Sequence, residues 1–251
     1  MRWPYPKLFA HRGGGRLAPE NSMAGMKQAR ALGYDAVEFD VKLSADGVAM
    51  LMHDDTLERT TNGIGAFRDK TAADLARLDA GAWRGPEFVG EPIPRFDDVM
   101  GYLNSHQMLA NVEIKPGPGR ESETGLVVAK LASELANSVR PPLISSFSVV
   151  ALTAAAEAAP DLPRALLVER YEESALEVAR ALGCVSVNCP WHDITPAMLS
   201  RLHAEGFRVM AFTVNDSTTA ASLLALSLDG LFTDALDDMA AAFPALREPA
   251  F

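Results

Sequence analysis

Cysteine is almost absent from this chain. Only Cys184 and Cys189 occur among 251 residues, close together in one apolar stretch. They cannot build a disulfide framework, and they read as small buried hydrophobes in a reducing compartment. Basic residues are also in deficit, with 23 Lys and Arg against 33 Asp and Glu and a formal net charge of -10. That balance argues against nucleic acid or an anionic membrane as the main partner, because both demand clustered cations. No run of about 18 apolar residues is present, so no membrane span is expected. The opening stretch Met1-Arg2-Trp3-Pro4-Tyr5-Pro6-Lys7 lacks an apolar segment of roughly 7–15 residues, so no secretory signal is expected and the expected location is cytoplasmic. The G-x-G-x-x-G turn of dinucleotide-binding sheets is missing too, since Gly13-Gly14-Gly15 does not have that spacing.

What is present is an alternation. Short apolar or β-branched runs fall at Leu8–Ala10, Ala36–Leu43, Val48–Met52, Leu109–Ile114, Leu143–Ser146, Arg164–Val168, Val185–Cys189, Arg208–Thr213 and Gly230–Phe232. Between most of them lie stretches of helical period at Ser22–Leu32, Phe96–Leu103, Thr124–Ala136, Val149–Ala159, Glu173–Leu182, Pro196–Glu205 and Ser217–Leu226, with a last one from Ala235 to about Phe243. Asn21 or Ser22, Thr195 before Pro196, and Asp216 can cap helices, while Gly33, Gly183 and Gly206 sit where helices should end. Strands that alternate with helices and are apolar throughout imply a parallel sheet covered by helices. A chain of 251 residues offers about 31 for each of eight βα units, which favours a closed TIM (β/α)8 barrel over an open sheet. The stretch from about residue 54 to 93 breaks the rhythm. It is rich in Gly, Thr, Asp and Pro, with one helical piece near Ala72–Leu78. The expectation is one barrel domain over residues 1–251 carrying a small insertion after the second unit, over the barrel mouth.

A parallel barrel does its chemistry at the C-terminal ends of its strands. There the sequence places His11-Arg12, the pair Glu38 and Asp40, His53-Asp54, and the pair Glu113 and Lys115. Residues two apart on a strand share a face. Glu38, Asp40 and Glu113 would therefore converge, and two like charges about 4 Å apart repel by roughly 4 kcal/mol at an effective dielectric near 20. A hard divalent cation with oxygen ligands, Mg²⁺ or Ca²⁺, would relieve this; so would pairing with Arg12, Lys42 or Lys115. His11 and His53 suit general acid and base roles near neutral pH. Arg12 and Lys115 suit phosphate binding. Phe147, Trp191, Phe212 and Glu169, at the ends of later strands, are candidates for the pocket wall. His106, His192 and His203 are assigned no chemistry. Two histidines, a hard metal and a basic pair fit phosphate-ester chemistry better than sugar, acyl or redox chemistry.

These residues match a family. Ala10-His11-Arg12-Gly13, Pro19-Glu20-Asn21-Ser22, Glu38-Phe39-Asp40-Val41, Asp46-Gly47, His53-Asp54 and Glu113-Ile114-Lys115 together resemble the glycerophosphodiester phosphodiesterases. The likeness runs on through Thr56-Leu57-Glu58-Arg59-Thr60-Thr61-Asn62-Gly63, Ile93-Pro94, Phe212-Thr213-Val214-Asn215 and Thr233-Asp234, in order over essentially the whole chain. The resemblance implies a metal-dependent barrel that hydrolyses glycerophosphodiesters, such as glycerophosphocholine or glycerophosphoethanolamine, to sn-glycerol 3-phosphate and an alcohol. It implies one Mg²⁺ or Ca²⁺ held by Glu38, Asp40 and Glu113, His11 and His53 as the acid/base pair, and Arg12 and Lys115 on the phosphate. The sequence departs from the family pattern at Phe212, where Trp is frequent, and at Ala235-Leu236, where the family has a Thr-Asp-Pro-like ending. Two other readings stand beside it. One is a phospholipase-D-like enzyme of lysophospholipids, a usually disulfide-bonded subgroup that two cysteines disfavour. The other is a catalytically idle barrel that binds glycerophosphodiesters, whose signature would be loss of one of the five site residues; all five are present.

Overall fold

The protein is described from a computed structural model covering residues 3–136 and 141–247; Met1 and Arg2 of the opening segment lie outside the described residues. Eight strands run parallel: β1 (Leu8–Ala10), β2 (Ala36–Leu43), β4 (Leu109–Ile114), β5 (Leu143–Ser146), β6 (Arg164–Leu167), β7 (Ser186–Pro190), β8 (Arg208–Phe212) and β9 (Gly230–Thr233). The sheet closes because β1 bonds to β2 on one side and to β9 on the other. Helices α1 (Met23–Ala31), α3 (Phe96–Ser105), α4 (Glu121–Leu135), α5 (Val149–Ala158), α6 (Ser174–Ala181), α7 (Pro196–Ala204), α8 (Ser217–Ala225) and α9 (Leu236–Ala242) follow these strands in turn. This is the (β/α)8 barrel that the alternation predicts. Among the described residues no helix is long and apolar enough to cross a membrane.

Strand parity divides the core in two. Val37, Phe39 and Val41 of β2, Ala110, Val112 and Ile114 of β4, and Val187 and Cys189 of β7 pack outward against the helices. The intervening positions face the barrel axis, where Tyr5, Phe9, Ala36, Leu109, Leu143, Ala165, Met210 and Phe232 fill the lower interior. Above them the same inward parity carries Glu38 and Asp40, Asn111 and Glu113, Ser145, and Asn188, all buried. Every residue of β2 is buried, which is why a strand of a closed barrel reads as continuously apolar except where it serves the site.

One predicted strand is not a stave. Only Ala49–Leu51 of the Val48–Met52 run is extended, as β3, and it lies antiparallel to β2. The reason is chain length. Ser44 to Val48 closes a tight turn, with the Ser44 N–H donating to the Val48 carbonyl at 3.0 Å, and a parallel return would need a crossover of a dozen or more residues. From β3 the chain makes its excursion, including α2 (Ala72–Leu75), and rejoins the barrel at α3. The excursion thus links the second stave to its helix, and Met50, Met52, Leu57, Phe67, Leu75, Ala80 and Ile93 give it a small core of its own.

Helix starts follow the sequence signals. Ser22, Thr195 and Asp216 cap α1, α7 and α8 with their side chains. Asn21 does not cap; its amide is used elsewhere. Helix α4 begins at Glu121, three residues earlier than the pattern suggests, because the Arg120 guanidinium chelates Glu123 at 2.8 and 3.0 Å and the Thr124 hydroxyl donates to the Arg120 carbonyl at 2.7 Å. Helices α4 and α5 approach closely at Gly125, where a side-chain methyl would collide with the Ala151 carbonyl oxygen. We expect Gly125→Ala to lower stability by about 1–3 kcal/mol by overpacking this contact. Chemical denaturation measures it, and an unchanged midpoint would show that the helices can slide apart freely.

Candidate active site

The cleft at the C-terminal end of the strands is lined by His11, Arg12, Glu38, His53, Asn111, Glu113, Lys115, Phe147, Leu167, Phe212, Thr213 and Phe232, and holds about 190 Å³. A larger depression of about 300 Å³, bordered by Trp3, Val185 and Arg208, lies at the opposite end of the strands and carries none of the residues to which the sequence assigns chemistry.

The centre of the cleft is acidic. Oxygen atoms of Glu38, Asp40 and Glu113 all lie within 4.8 Å of one another, and all three residues are buried. Register explains the convergence. Asp40 pairs directly with Glu113 across β2 and β4, and Glu38 is one inward step below. Cations partly balance the cluster. The Lys115 ammonium stands 3.1 Å from Glu113 and 3.5 Å from Asp40, while Arg12 Nε is 3.7 Å from Asp40. Asn21 grips Asp40 twice, its amide donating to the carboxylate at 2.8 Å and its carbonyl accepting the Asp40 N–H at 3.0 Å. Burial works against ionisation of Asp40, but Lys115, Arg12 and His53 overcome it and hold that carboxyl below its usual range. Its neighbours behave oppositely. Burial, reinforced by the charge of Asp40, pushes Glu38 up to about 7 and Glu113 up to about 8. Oε1 of Glu113 is sealed from solvent and accepts no well-directed hydrogen bond. A sealed oxygen that only the Lys115 ammonium approaches, beside two further carboxylates, is a fitting donor set for a hard divalent cation.

A histidine stands on either side of this cluster. His11 follows β1, with Nδ1 2.6 Å from Asp234 and Nε2 3.7 Å from Glu38. Burial alone would lower its pKa, but the bond to Asp234 and the charge of Glu38 raise it above the ordinary value. His53 follows β3, with Nδ1 2.6 Å from Asp54. Its pKa is lowered, first by burial and then by Arg12 and Lys115, against the pull of Asp40 and Asp54. Arg12 has a left-handed backbone (φ 50) that turns its N–H onto Glu38 at 3.0 Å, and its guanidinium donates to Glu20 at 2.9 Å. The loop beyond it passes so close to Asp234 that a Cβ on Gly15 would collide with that residue's backbone. This close approach accounts for glycine there.

The proposed wall residues divide. Phe147 and Phe212 line the cleft and meet edge to face at 5.8 Å, and Lys115 sits 5.7 Å above the Phe147 ring. Glu169 and Trp191 are not among the lining residues. Strand β6 ends at Leu167, which takes the wall position, and Glu169 is exposed in the turn beyond it. Strand β7 ends at Pro190, after which Trp191 opens a short 3₁₀ turn with its ring against His192. Asp234, the residue just past β9, also belongs to the site, although the sequence assigns it no role. Asn215 fixes it by donating to its carboxylate at 3.1 Å and accepting its N–H at 2.7 Å. Its polar position at a strand end was the available signal.

A parallel barrel with a buried carboxylate cluster flanked by two carboxylate-backed histidines defines a barrel hydrolase-type site. Residues 11–238 match the glycerophosphoryl diester phosphodiesterase family, and the chain belongs to that family. It is 32% identical over 231 residues to a glycerophosphodiester phosphodiesterase of Caldanaerobacter subterraneus subsp. tengcongensis, covering 90% of this chain and 93% of the relative. Among solved structures it resembles an Oleispira antarctica phosphodiesterase in complex with the product sn-glycerol-3-phosphate, with 33% identity, TM-score 0.92, and 96% and 98% of the two chains covered. A glycerophosphodiester phosphodiesterase from Agrobacterium tumefaciens is also similar, with 28% identity, TM-score 0.80, and coverage of 94% and 99%.

Asp234 raises the proton affinity of His11 through a hydrogen bond and a charge. In Asp234→Asn the charge is gone, so the His11 pKa should move down. An NMR titration of its ring protons reads the shift, and an unmoved pKa would show that Glu38 dominates instead.

Proposed function

We propose that this protein hydrolyses glycerophosphodiesters, such as glycerophosphocholine and glycerophosphoethanolamine, to sn-glycerol 3-phosphate and an alcohol. The observation that carries the reading is the placement of His11 and His53 about one cluster of three buried carboxylates, within a single cleft. The relative whose structure is in complex with sn-glycerol-3-phosphate supports the product assignment. Glu38, Asp40 and Glu113 would hold one divalent cation, Mg²⁺ or Ca²⁺. When bound, such an ion supplies positive charge against the charge that develops on the phosphate oxygens.

The remaining work falls to the chain's own side chains. Arg12 and Lys115 line the cleft and bind the non-bridging oxygens of the phosphodiester, Arg12 by its planar fork and Lys115 as a point charge. The two histidines differ in environment, which separates their roles. His53, whose pKa is lowered, is the more suited to take the proton from the nucleophile, and His11, whose pKa Asp234 and Glu38 raise, to give a proton to the departing alkoxide. One phosphorus–oxygen bond forms, one breaks, and the two histidines exchange one proton each way. The nucleophile is either water or the glycerol 2-hydroxyl, which would give a 1,2-cyclic phosphate for water to open. Both routes reach the same products, and detection of the cyclic ester in a quenched turnover selects the second. Phe147, Phe212 and Leu167 wall the cleft against solvent.

Release of sn-glycerol 3-phosphate from glycerophosphocholine tests the proposal. His11→Ala and His53→Ala should each lower kcat by about 10²- to 10⁴-fold while leaving the circular dichroism spectrum intact. Turnover that persists in excess EDTA would speak against the cation. Protons compete for the same carboxylates. As pH falls from about 8 to about 6, Glu113 and then Glu38 take up protons, so affinity for Ca²⁺ or Mg²⁺ should weaken on the order of tenfold per unit for each proton displaced. Calorimetry at several pH values measures this, and a flat profile would remove these two residues from the donor set.

A further inference from the structure

We propose that Arg59 is a positioning residue that clasps the two sides of the cleft and holds His53 and Arg12 at one fixed separation. The proposal rests on the phosphodiesterase reading for the roles of those two side chains and adds a residue to which that reading gives none. Arg59 comes from the excursion and does not line the cleft; its side chain is 45% exposed. Its guanidinium nevertheless makes four hydrogen bonds to two carboxylates. Nε and Nη2 donate to Asp54 at 2.5 and 2.9 Å, and Nη1 and Nη2 donate to Glu20 at 2.8 Å each.

Each of those carboxylates has a second partner inside the cleft. Oδ1 of Asp54 meets His53 Nδ1 at 2.6 Å, and Oε1 of Glu20 accepts from Arg12 Nη1 at 2.9 Å. The same two oxygens are the ones that Arg59 Nη2 bridges. One rigid plane therefore joins the loop after β1, which carries Arg12 and Glu20, to the loop after β3, which carries His53 and Asp54. The tie matters because His53 is delivered not by a barrel stave but one residue past Met52, whose N–H donates to the Asp40 carbonyl at 3.1 Å, so the strand pairing places its backbone while its ring is set by Asp54. An ammonium group cannot replace the clasp, since two opposed bidentate contacts require the planar five-donor fork. Exposed ion pairs add little to folding stability. A 1 Å misplacement of a reacting group, by contrast, lowers rates by about 10²-fold.

The test compares Arg59→Ala and Arg59→Lys with wild type, each checked by thermal melting. Both variants should lose about ten- to a hundredfold in kcat and raise KM, and millimolar guanidinium ion should restore part of the kcat of Arg59→Ala without affecting wild type. Cutting one arm should split the effect: Asp54→Asn acts mainly on kcat through His53, and Glu20→Gln mainly on KM through Arg12. Activity within twofold of wild type in the folded variants, or an Arg59→Ala defect that guanidinium leaves untouched, would overturn the clasp. If Arg59→Ala does not fold, the kcat and KM of Arg59→Lys decide the same question. A readout free of turnover separates this inference from the one it rests on. The ring-proton signals of His53 should shift in Arg59→Lys while those of His203, paired with Asp229 at 2.7 Å, stay put; unshifted His53 signals would overturn the proposal even if wild type hydrolyses nothing.

Discussion

Everything at the mouth of this barrel answers to the repulsion among three buried carboxylates. Glu38, Asp40 and Glu113 are forced together by the ladder between β2 and β4, in a place where water cannot screen them. The surrounding residues are arranged to make that tolerable. Lys115 and Arg12 bring opposite charge, Asn21 fixes Asp40 from both its amide atoms, and the Arg12 N–H reaches Glu38. The compensation is incomplete, since Glu38 and Glu113 retain a raised affinity for protons.

The polar framework around the histidines shares one design. Each ring is backed at Nδ1 by an aspartate, and each aspartate is held in turn, Asp234 by Asn215 and Asp54 by Arg59. Orientation is thus set two residues deep, so that the ring nitrogen turned toward the cleft has a defined direction and tautomer. The difference lies in the support. His11 is anchored to barrel staves on both sides through β1 and β9, whereas His53 follows a side strand paired with β2 alone, and the aspartate behind it is held by Arg59 from the excursion.

Local pattern made most of the fold legible. The apolar alternation placed all eight staves within a residue or two, because strands buried on both faces leave a continuous hydrophobic trace. Parity along the strands likewise foretold that Glu38, Asp40 and Glu113 share the interior. Long-range pairing was what the sequence could not display. The contact of His11 with Asp234 joins opposite ends of the chain, and that of Arg59 with Glu20 ties the excursion back to the first loop; neither leaves a periodic signal. Strand ends were the other weak point. Trp191 and Glu169 lie just past the last strand residues, Pro190 and Leu167, where one step of backbone decides between cleft and surface. The run at Val48–Met52 showed strand propensity without direction, and only the shortness of the Ser44–Val48 turn made it antiparallel.

The ladder register between β2 and β4 has a wider consequence. The groups assigned to chemistry belong to β1, β2, β4, the excursion and the end of β9, whereas Phe147, Leu167 and Phe212, which shape the cleft wall, come from β5, β6 and β8. The two functions are thus carried by opposite arcs of one closed sheet. Backbone hydrogen bonds hold the carboxylate spacing on the first arc, and they are indifferent to what the loops of the second arc contain. Segments following β5 through β7 can therefore be exchanged to reshape the cleft wall without resetting the carboxylate cluster, whereas the one after β8 carries Asn215, which holds Asp234 behind His11. The barrel separates what the enzyme does from what it does it to.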